Sequence, residues 1–98
     1  MSNVKVAQML NNQGQAVKNQ FYIFDKYCTL FQSYNSIIVK KYSDGLVELD
    51  NKYWDFSTTT GKYRNVFLGE KKQETERKIK QGIYKLVDLN KAEELSNG

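Results

Sequence analysis

Apolar and β-branched residues alternate with polar residues through the first half of the chain, in short runs that polar turns interrupt. Such alternation, rich in Ile, Val, Tyr and Phe, is typical of strands with one buried face. The sequence Ser43-Asp44-Gly45 favours a tight antiparallel return between the last two runs. The pattern predicts an antiparallel β-meander of about four strands, over residues 20–24, 27–32, 36–42 and 46–49.

Helical spacing replaces this alternation after the aromatic segment 50–56. Ser57 or Thr58 is expected to cap a first helix, because either hydroxyl accepts from the free N–H groups of the first turn. Gly69 is expected to end it, since glycine adopts the left-handed conformation that follows many helices. The predicted apolar stripe is Tyr63, Val66 and Phe67, and the residues predicted to cover the core are Tyr53, Trp54 and Phe56.

A second helix is predicted over residues 72–81, ended by Gly82. A closing strand is predicted over residues 83–89. A meander followed by two short helices and a closing strand indicates an α+β fold.

The two ends of the chain have less regular patterns. Val4, Ala7 and Leu10 have the spacing of a helical face, so residues 1–18 are expected to form a weakly ordered segment or a short helix. The polar residues 90–98 are expected to form a flexible tail. The chain is then a single domain, 1–98, with its core at 20–89.

Composition excludes several kinds of chemistry. The chain has no histidine, so it lacks a Ser-His-Asp triad and the commonest zinc ligand. The single cysteine, Cys28, cannot form an internal disulfide, and its apolar surroundings favour a buried thiol. The sequence therefore predicts no cofactor, no metal site and no catalytic residue. An enzyme would need two carboxylates, such as Asp50 and Asp55, that converge in one cleft.

Residue usage indicates where the protein acts. Lys and Asn are abundant and proline is absent, a skew typical of AT-rich coding in low-GC bacteria and their mobile elements. No apolar run is long enough to span a membrane, and the first residues lack the apolar segment of a signal peptide. The protein is therefore expected in the cytoplasm of a bacterial host, with no membrane partner.

The formal net charge of +4 is concentrated in residues 62–80. Two interpretations are open. Glu74 with Lys78, and Glu76 with Lys80, have the spacing of stabilising ion pairs, which predicts a solvated helix face. The same cations are suited to phosphates or to an acidic protein surface. The candidate partner-binding residues are Thr59, Thr60, Lys62, Arg64, Lys71, Lys72, Arg77, Lys78 and Tyr34.

Tyrosines give a second candidate surface beside several lysines of the meander. If one sheet face is uncovered, they resemble the base-stacking platforms of single-strand binding proteins. Tyrosine is equally suited to a half-buried sheet face and to protein interfaces. The residues concerned are Tyr22, Tyr27, Tyr34, Tyr42 and Tyr53.

Two sequence blocks resemble small accessory proteins of phages and plasmids from low-GC Gram-positive bacteria. The first is Phe31-Gln32-Ser33-Tyr34-Asn35-Ser36, which leads into an Ile-rich strand. The second, Tyr53-Trp54-Asp55-Phe56-Ser57-Thr58-Thr59-Thr60-Gly61-Lys62-Tyr63, matches a Trp-Asp-aromatic-Ser-x-Thr-Thr-x-Lys-Tyr pattern and precedes Phe67-Leu68. The resemblance spans about residues 20–90, implies a mobile-element origin and brings no established active site.

Small mobile-element proteins without catalytic residues commonly act by stoichiometric binding. The chain is therefore expected to be non-catalytic and to bind a host protein or nucleoprotein complex, as an anti-defence or host-takeover factor. Inhibition of a CRISPR effector is one such activity. The alternative is a basic nucleic-acid-binding accessory protein that acts through residues 62–80 or the tyrosines. A monomer and a homodimer are both compatible with the sequence.

Overall fold

The computed structural model describes residues 4–91. The strands are β1 (Lys5–Leu10), β2 (Ala16–Phe24), β3 (Cys28–Ser33), β4 (Ser36–Tyr42), β5 (Val47–Asp50) and β6 (Tyr84–Val87), and the helices are α1 (Thr58–Leu68) and α2 (Lys72–Lys80). The α+β class is confirmed. The prediction of about four strands in the meander is too low, because the sheet has six strands and five of them form the meander.

The strands form one sheet in the order β1-β2-β3-β4-β5-β6. Short turns connect the first five, so each pairs antiparallel with the next. Strand β6 pairs parallel with β5, which requires a crossover connection, and α1 and α2 provide it. Both helices pack on one face of the sheet, called here the helix-covered face.

The core lies between the helix-covered face and the two helices. Phe31, Val39 and Leu49 are aligned across β3, β4 and β5, and each is 0% exposed. The Phe67 ring of α1 stacks on the Phe31 ring, with centroids 5.9 Å apart. Ile79 of α2 packs against the same cluster. Apolar contact with the sheet therefore holds both helices, although neither carries many apolar residues.

The helix ends follow the capping chemistry that the sequence predicts. Ser57 is the N-cap of α1, and its hydroxyl accepts a 3.1 Å hydrogen bond from the Thr60 N–H. Gly69 follows α1 with a φ of 68°, and Gly82 follows α2 with a φ of 76°. Both glycines take the left-handed conformation that other residues rarely adopt. The predicted cap and both predicted stops are confirmed.

A polar network attaches α2 to β6. The Glu70 carboxylate, 8% exposed, accepts hydrogen bonds from Thr75 Oγ1 at 2.6 Å, Lys78 Nζ at 2.7 Å and Tyr84 Oη at 2.9 Å. Burial alone would raise the pKa of Glu70, but these three donors outweigh it and hold the pKa below its ordinary value of 4.5. The ionised carboxylate, in the connection between α1 and α2, thus joins α2 to β6 through charge-assisted hydrogen bonds.

The buried Asp50 side chain organises the end of β5. Its oxygens accept from backbone N–H groups of the following turn, from the Leu89 N–H at 2.9 Å and from Asn90 Nδ2 at 3.0 Å. Asn90 also bonds both backbone groups of Ile37. The segment predicted as a tail from residue 90 onwards is therefore attached to the fold at Asn90, and residues 92–98 lie outside the described part.

The predicted N-terminal helix is wrong, because this segment forms strand β1 and pairs with β2. The residues with helical spacing, Val4, Ala7 and Leu10, are all exposed, and Met9 is the buried one. A stretch of about two helical turns is too short to form a stable helix by itself, whereas a neighbouring strand supplies a hydrogen-bonded ladder. The first three residues of the chain lie outside the described part.

Candidate interaction surface at the start of helix α1

A buried arginine fixes the loop that leads into α1. Arg64 is 1% exposed, and its Nη1 donates to the Trp54 carbonyl at 2.8 Å and to Asp55 Oδ1 at 2.9 Å. Its Nη2 donates to Asn65 Oδ1 at 3.0 Å, and its guanidinium lies 5.2 Å from the Trp54 ring centre. A planar fork that stacks and donates in two directions is a geometry that lysine does not reproduce.

Asp55 receives a second cation from α2. Lys72 Nζ lies 2.6 Å from Asp55 Oδ2, while Arg64 binds the other oxygen. Burial alone would raise the pKa of Asp55, but the hydrogen bonds and charges of Lys72 and Arg64 hold it below its ordinary value of 3.8. The ionised Asp55 therefore ties the loop to the middle of α1, through Arg64, and to the first residue of α2, through Lys72.

Hydroxyl groups connect the first turn of α1 to the sheet. Thr60 is 1% exposed and shares a 2.9 Å hydrogen bond with the Ser33 hydroxyl of β3. The Ser57 hydroxyl donates to Thr60 Oγ1 at 3.1 Å. Since a buried hydroxyl is costly without such partners, these bonds favour one position of the helix start on the sheet.

Phe56 is exposed at the end of the fixed loop. The prediction that it covers the core is wrong, because 67% of it is exposed. A residue before the N-cap often packs on the fourth residue of the helix, but in α1 that residue is Gly61, which has no side chain to offer. Phe56 contacts Tyr53 instead, edge to face, with ring centroids 5.4 Å apart. The Phe56 ring therefore packs against Tyr53, and most of its surface is accessible to a partner.

Tyr34 is presented beside Phe56 by a strained turn. Its φ is 55°, a left-handed value that a bulky residue seldom adopts. Its N–H donates to the Asn19 carbonyl at 2.7 Å, and its carbonyl accepts from Gln32 Nε2 at 2.7 Å. Tyr34 is 48% exposed and lines, with Phe56 and Tyr53, a pocket of about 210 Å³. Strain that the surroundings maintain at an exposed aromatic residue points to a functional position.

A larger charged cleft borders the same loop. Its volume is about 730 Å³, and its lining includes Asp55, Lys62, Arg64 and Lys72. Lys62 is exposed and forms no ion pair with any described residue. Three cations against one carboxylate leave the cleft with a net positive charge.

We call Tyr34, Phe56, Thr59 and Lys62 the α1-entry surface. It combines two exposed aromatic rings, an exposed threonine and an exposed cation on a scaffold that buried polar contacts hold in place. Such a surface is suited to burying its rings in a partner and to pairing Lys62 with an acidic group.

The predicted partner-binding residues of α1 and the β3–β4 turn divide into two groups. Tyr34, Thr59 and Lys62 are exposed and belong to the α1-entry surface. Thr60 and Arg64 are each 1% exposed, so the expectation that they form part of a surface patch is wrong. Both are buried beneath the α1-entry surface, where their hydrogen bonds hold the loop and the first turn of α1 in place.

The predicted residues of α2 are not gathered at this surface, apart from Lys72 in the cleft. The predicted i, i+4 pairs are wrong, because Lys78 pairs with Glu70 and Arg77 pairs with Glu74. A pair of Glu76 and Lys80 is not among the ion pairs of the described residues. Lys71 is exposed and precedes the first turn of α2.

The tyrosines do not form one stacking face. Tyr22 lies on the helix-covered face, with its ring 5.9 Å from the Phe67 ring. Tyr42 lies on the opposite face, where its hydroxyl donates to Glu48 at 2.8 Å. Turns or loops hold the other three, which are Tyr27, Tyr34 and Tyr53.

The two carboxylates considered for catalysis have separate partners. Asp50 binds backbone N–H groups and Asn90, while Asp55 binds Arg64 and Lys72. Within residues 4–91 no group of three or more acidic or thiol side chains is placed to hold a metal ion. Neither α1 nor α2, the helices of this part of the chain, has the length and apolar character needed to cross a bilayer.

The fold and site define a small α+β domain that presents a preorganised aromatic surface. The chain belongs to a family of unknown function, DUF8033, whose profile matches residues 4–84. The match includes the entire meander and both helices. Comparison with curated proteins and with solved structures gives no match.

Proposed function

We propose that this protein is a non-catalytic binding factor that engages a host protein or defence complex stoichiometrically through the α1-entry surface. The observation that carries the proposal is Phe56, which is 67% exposed on a loop that the buried Arg64 holds. A ring carried by a loop that is already held costs less conformational entropy to order when a partner covers it. Exposed, preorganised aromatic residues are typical anchors of protein interfaces.

Charge supports an acidic partner. Lys62 and Lys72 border the cleft beside Phe56, and Asp55 alone opposes the three cations there. Complementary charge at the rim of an interface mainly accelerates association and excludes wrong partners. The partner surface is therefore proposed to carry an apolar pocket for Phe56 with acidic side chains at its edge.

The mobile-element part of the proposal rests on the resemblance to phage and plasmid accessory proteins. Its more specific block, residues 53–63, is the segment that builds the loop and first turn of the α1-entry surface. Proteins of that kind commonly block a host enzyme or a defence complex, and a CRISPR effector is one such target. The protein is proposed to act in this way in the cytoplasm of its host, as an anti-defence or host-takeover factor.

The test is quantitative affinity capture from lysate of a low-GC Gram-positive host, with nuclease-treated and untreated arms. Wild type, Phe56→Ala and Val66→Ala serve as baits. Val66 is the matched control, because it is 51% exposed on α1 but does not line the pocket or the cleft. We expect one host protein to be retained by wild type and Val66→Ala, with or without nuclease, and lost from Phe56→Ala.

The captured protein is then purified and titrated by calorimetry. A molar ratio near one or two and a loss of at least about 30-fold in affinity for Phe56→Ala are expected for a hot spot. If every retained protein binds Phe56→Ala as well as wild type, this surface is not the binding site. If all capture disappears with nuclease, the protein does not engage a protein partner directly.

A further inference from the structure

A second concave surface lies at the opposite end of β3 from Tyr34, beside the turn that joins β2 to β3. We call it the hairpin groove. Its volume is about 440 Å³, and its lining includes Tyr22, Phe24, Tyr27 and Lys41. It shares no residue with the α1-entry surface.

Strand register places lysines on both sides of an aromatic residue in this region. Lys5 is paired with Phe24, Phe24 with Thr29, and Thr29 with Lys41. Directly paired residues project to the same face, so these side chains form one row across four strands. Lys5 and Lys41 are exposed and form no ion pair with the described residues.

Two aromatic residues of the groove, Phe24 and Tyr27, are exposed. Phe24 is 43% exposed, and its ring stacks on Tyr22 with centroids 5.7 Å apart and planes 24° apart. Tyr22 in turn contacts Phe67 of α1. Tyr27 is 65% exposed in the turn, with Lys26 Nζ 5.3 Å from its ring centre. Two planar apolar surfaces are thus available beside flexible cations.

One acid lies among these cations. Asp25 lines the groove, and its carboxylate accepts a 2.6 Å hydrogen bond from the Lys26 N–H. With Lys5, Lys26 and Lys41 around it, the region keeps a net positive charge. The field therefore favours a ligand that is both aromatic and negatively charged.

We propose that the hairpin groove binds single-stranded nucleic acid, with bases stacked on Phe24 and Tyr27 and phosphates bound by Lys26 and Lys41. A single strand repeats one planar base and one phosphate per nucleotide, and the groove alternates exposed rings with lysines in the same way. A duplex hides its base faces, so it would use the lysines but not the rings. This site is independent of protein capture by the α1-entry surface.

The test is fluorescence anisotropy with labelled single strands of about 12 nucleotides, as DNA and as RNA, and with a matched duplex. Measurements are made at roughly 50 mM and 200 mM salt. Two or three neutralised phosphates predict that this change in salt weakens single-strand binding by about 7- to 20-fold. The DNA and RNA arms show which sugar the groove accepts.

Two matched pairs of variants separate stacking from general charge. Phe24→Ala is expected to lower single-strand affinity about tenfold, and Phe56→Ala, an exposed phenylalanine on the other surface, is expected to leave it unchanged. Lys41→Gln is expected to weaken binding and flatten the salt dependence, whereas Lys80→Gln on α2 is not. Tyr27→Ala repeats the stacking test in the turn, away from the contact of Phe24 with Tyr22.

Several results would overturn the proposal. These are no binding at the lower salt, tighter binding to duplex than to single strands, or equal losses from Phe24→Ala and Phe56→Ala. Circular dichroism and thermal melting establish whether each variant is folded. If Phe24→Ala does not fold, the stacking prediction is tested with Tyr27→Ala alone. A failure here leaves protein capture by the α1-entry surface intact, and the reverse also holds.

Discussion

The α1-entry surface and the hairpin groove lie at opposite ends of β3, and each presents an exposed phenylalanine. Phe56 stands on a loop that Arg64, Asp55 and Lys72 hold through buried or partly buried ion pairs. Phe24 belongs to a strand, and the lysines around it have no ion-pair partner among the described residues. The first region uses Arg64, Asp55 and Lys72 to hold its own structure and leaves only Lys62 without an ion-pair partner among the described residues, whereas the second region leaves all of its lysines without one.

An exposed aromatic ring does not by itself indicate which partner it binds. The charged groups around the ring indicate the partner. A ring on a loop that internal ion pairs hold in one conformation is suited to a protein pocket of complementary shape. A ring among unpaired lysines offers charge as well, which suits a phosphate backbone. Variants that act on one region only can test whether the two surfaces are independent.

The largest effect is expected from Arg64→Met, which leaves Asp55 Oδ1 and the Trp54 carbonyl without their donor, while Lys72 remains on Asp55 Oδ2. We expect the free energy of unfolding to fall by about 2–4 kcal/mol in urea denaturation. The Arg64→Lys variant should recover only part of this loss, because an ammonium lacks the planar fork. In the folded fraction, single-strand affinity should be unchanged. Full stability in Arg64→Met would mean that the loop is held by other contacts.

A somewhat smaller effect is expected from Glu70→Ala, which removes the acceptor between α2 and β6. The folded-state pKa of Glu70 is held below 4.5, so its contribution is present above that pH and is lost as pH falls through the folded-state pKa. We expect a loss of about 2 kcal/mol at neutral pH and a smaller loss in acid. Urea denaturation across this pH range measures both.

The control for Glu70 is Glu76→Ala, an exposed acid on the same helix. It should change stability by less than about 0.5 kcal/mol at any pH. Because Glu70 lies in neither surface, its removal should weaken both binding activities equally, through unfolding alone. A loss confined to one activity would contradict a purely structural role for Glu70.

A gain of stability is expected from Gln20→Met. Gln20 is 0% exposed in β2, and neither atom of its amide has a hydrogen-bond partner among the described residues. An apolar side chain of similar shape removes this cost, so the free energy of unfolding should rise by about 1 kcal/mol and Tm by about 4–8 °C. Gln73→Met, exposed on α2, is the control for thermal melting. A lower Tm would show that the amide is satisfied after all.

The smallest change in stability is expected from two charge reversals, Lys62→Glu and Lys41→Glu. Both lysines are exposed and form no ion pair with described residues, so each reversal should change stability by less than about 0.5 kcal/mol. Lys62→Glu should weaken protein capture only, and Lys41→Glu should weaken single-strand binding only. If each reversal weakened both protein capture and single-strand binding, the two surfaces would act as a single binding site.

Much of the fold follows from local signals in the sequence. Strands β2 to β5 are marked by alternation and turn residues, and both helices are marked by their caps. Strand β1 lacks such a signal, because Val4, Ala7 and Leu10 mimic a helical face over a short stretch. Only pairing with β2, a contact outside the segment, decides between the two structures.

The candidate site follows from the sequence less completely than the fold does. Tyr34 and Lys62 have no evident core role in the sequence, and both are exposed. Arginine is rarely buried, so the sequence favours a surface position for Arg64, and its partners Trp54 and Asp55 meet it only in the folded chain. Hydrophobicity alone favours the core for Phe56. The glycine at position 61, which leaves Phe56 without a helix partner, is the signal that could have corrected this.

The parallel pairing of β6 sets an order of assembly. The strands of the meander pair with their neighbours in sequence, whereas β6 pairs with β5 only after α1 and α2 have crossed the sheet. The entropic cost of closing the β5–β6 connection is therefore larger than the cost of closing each turn of the meander. We expect the meander to form first during synthesis, and the amides of β6 to exchange with deuterium sooner than those of β3 and β4. Before β6 pairs with it, β5 is an unpaired edge strand. The carboxylate of Asp50 at the end of β5 then lacks its hydrogen bonds from Leu89 and Asn90.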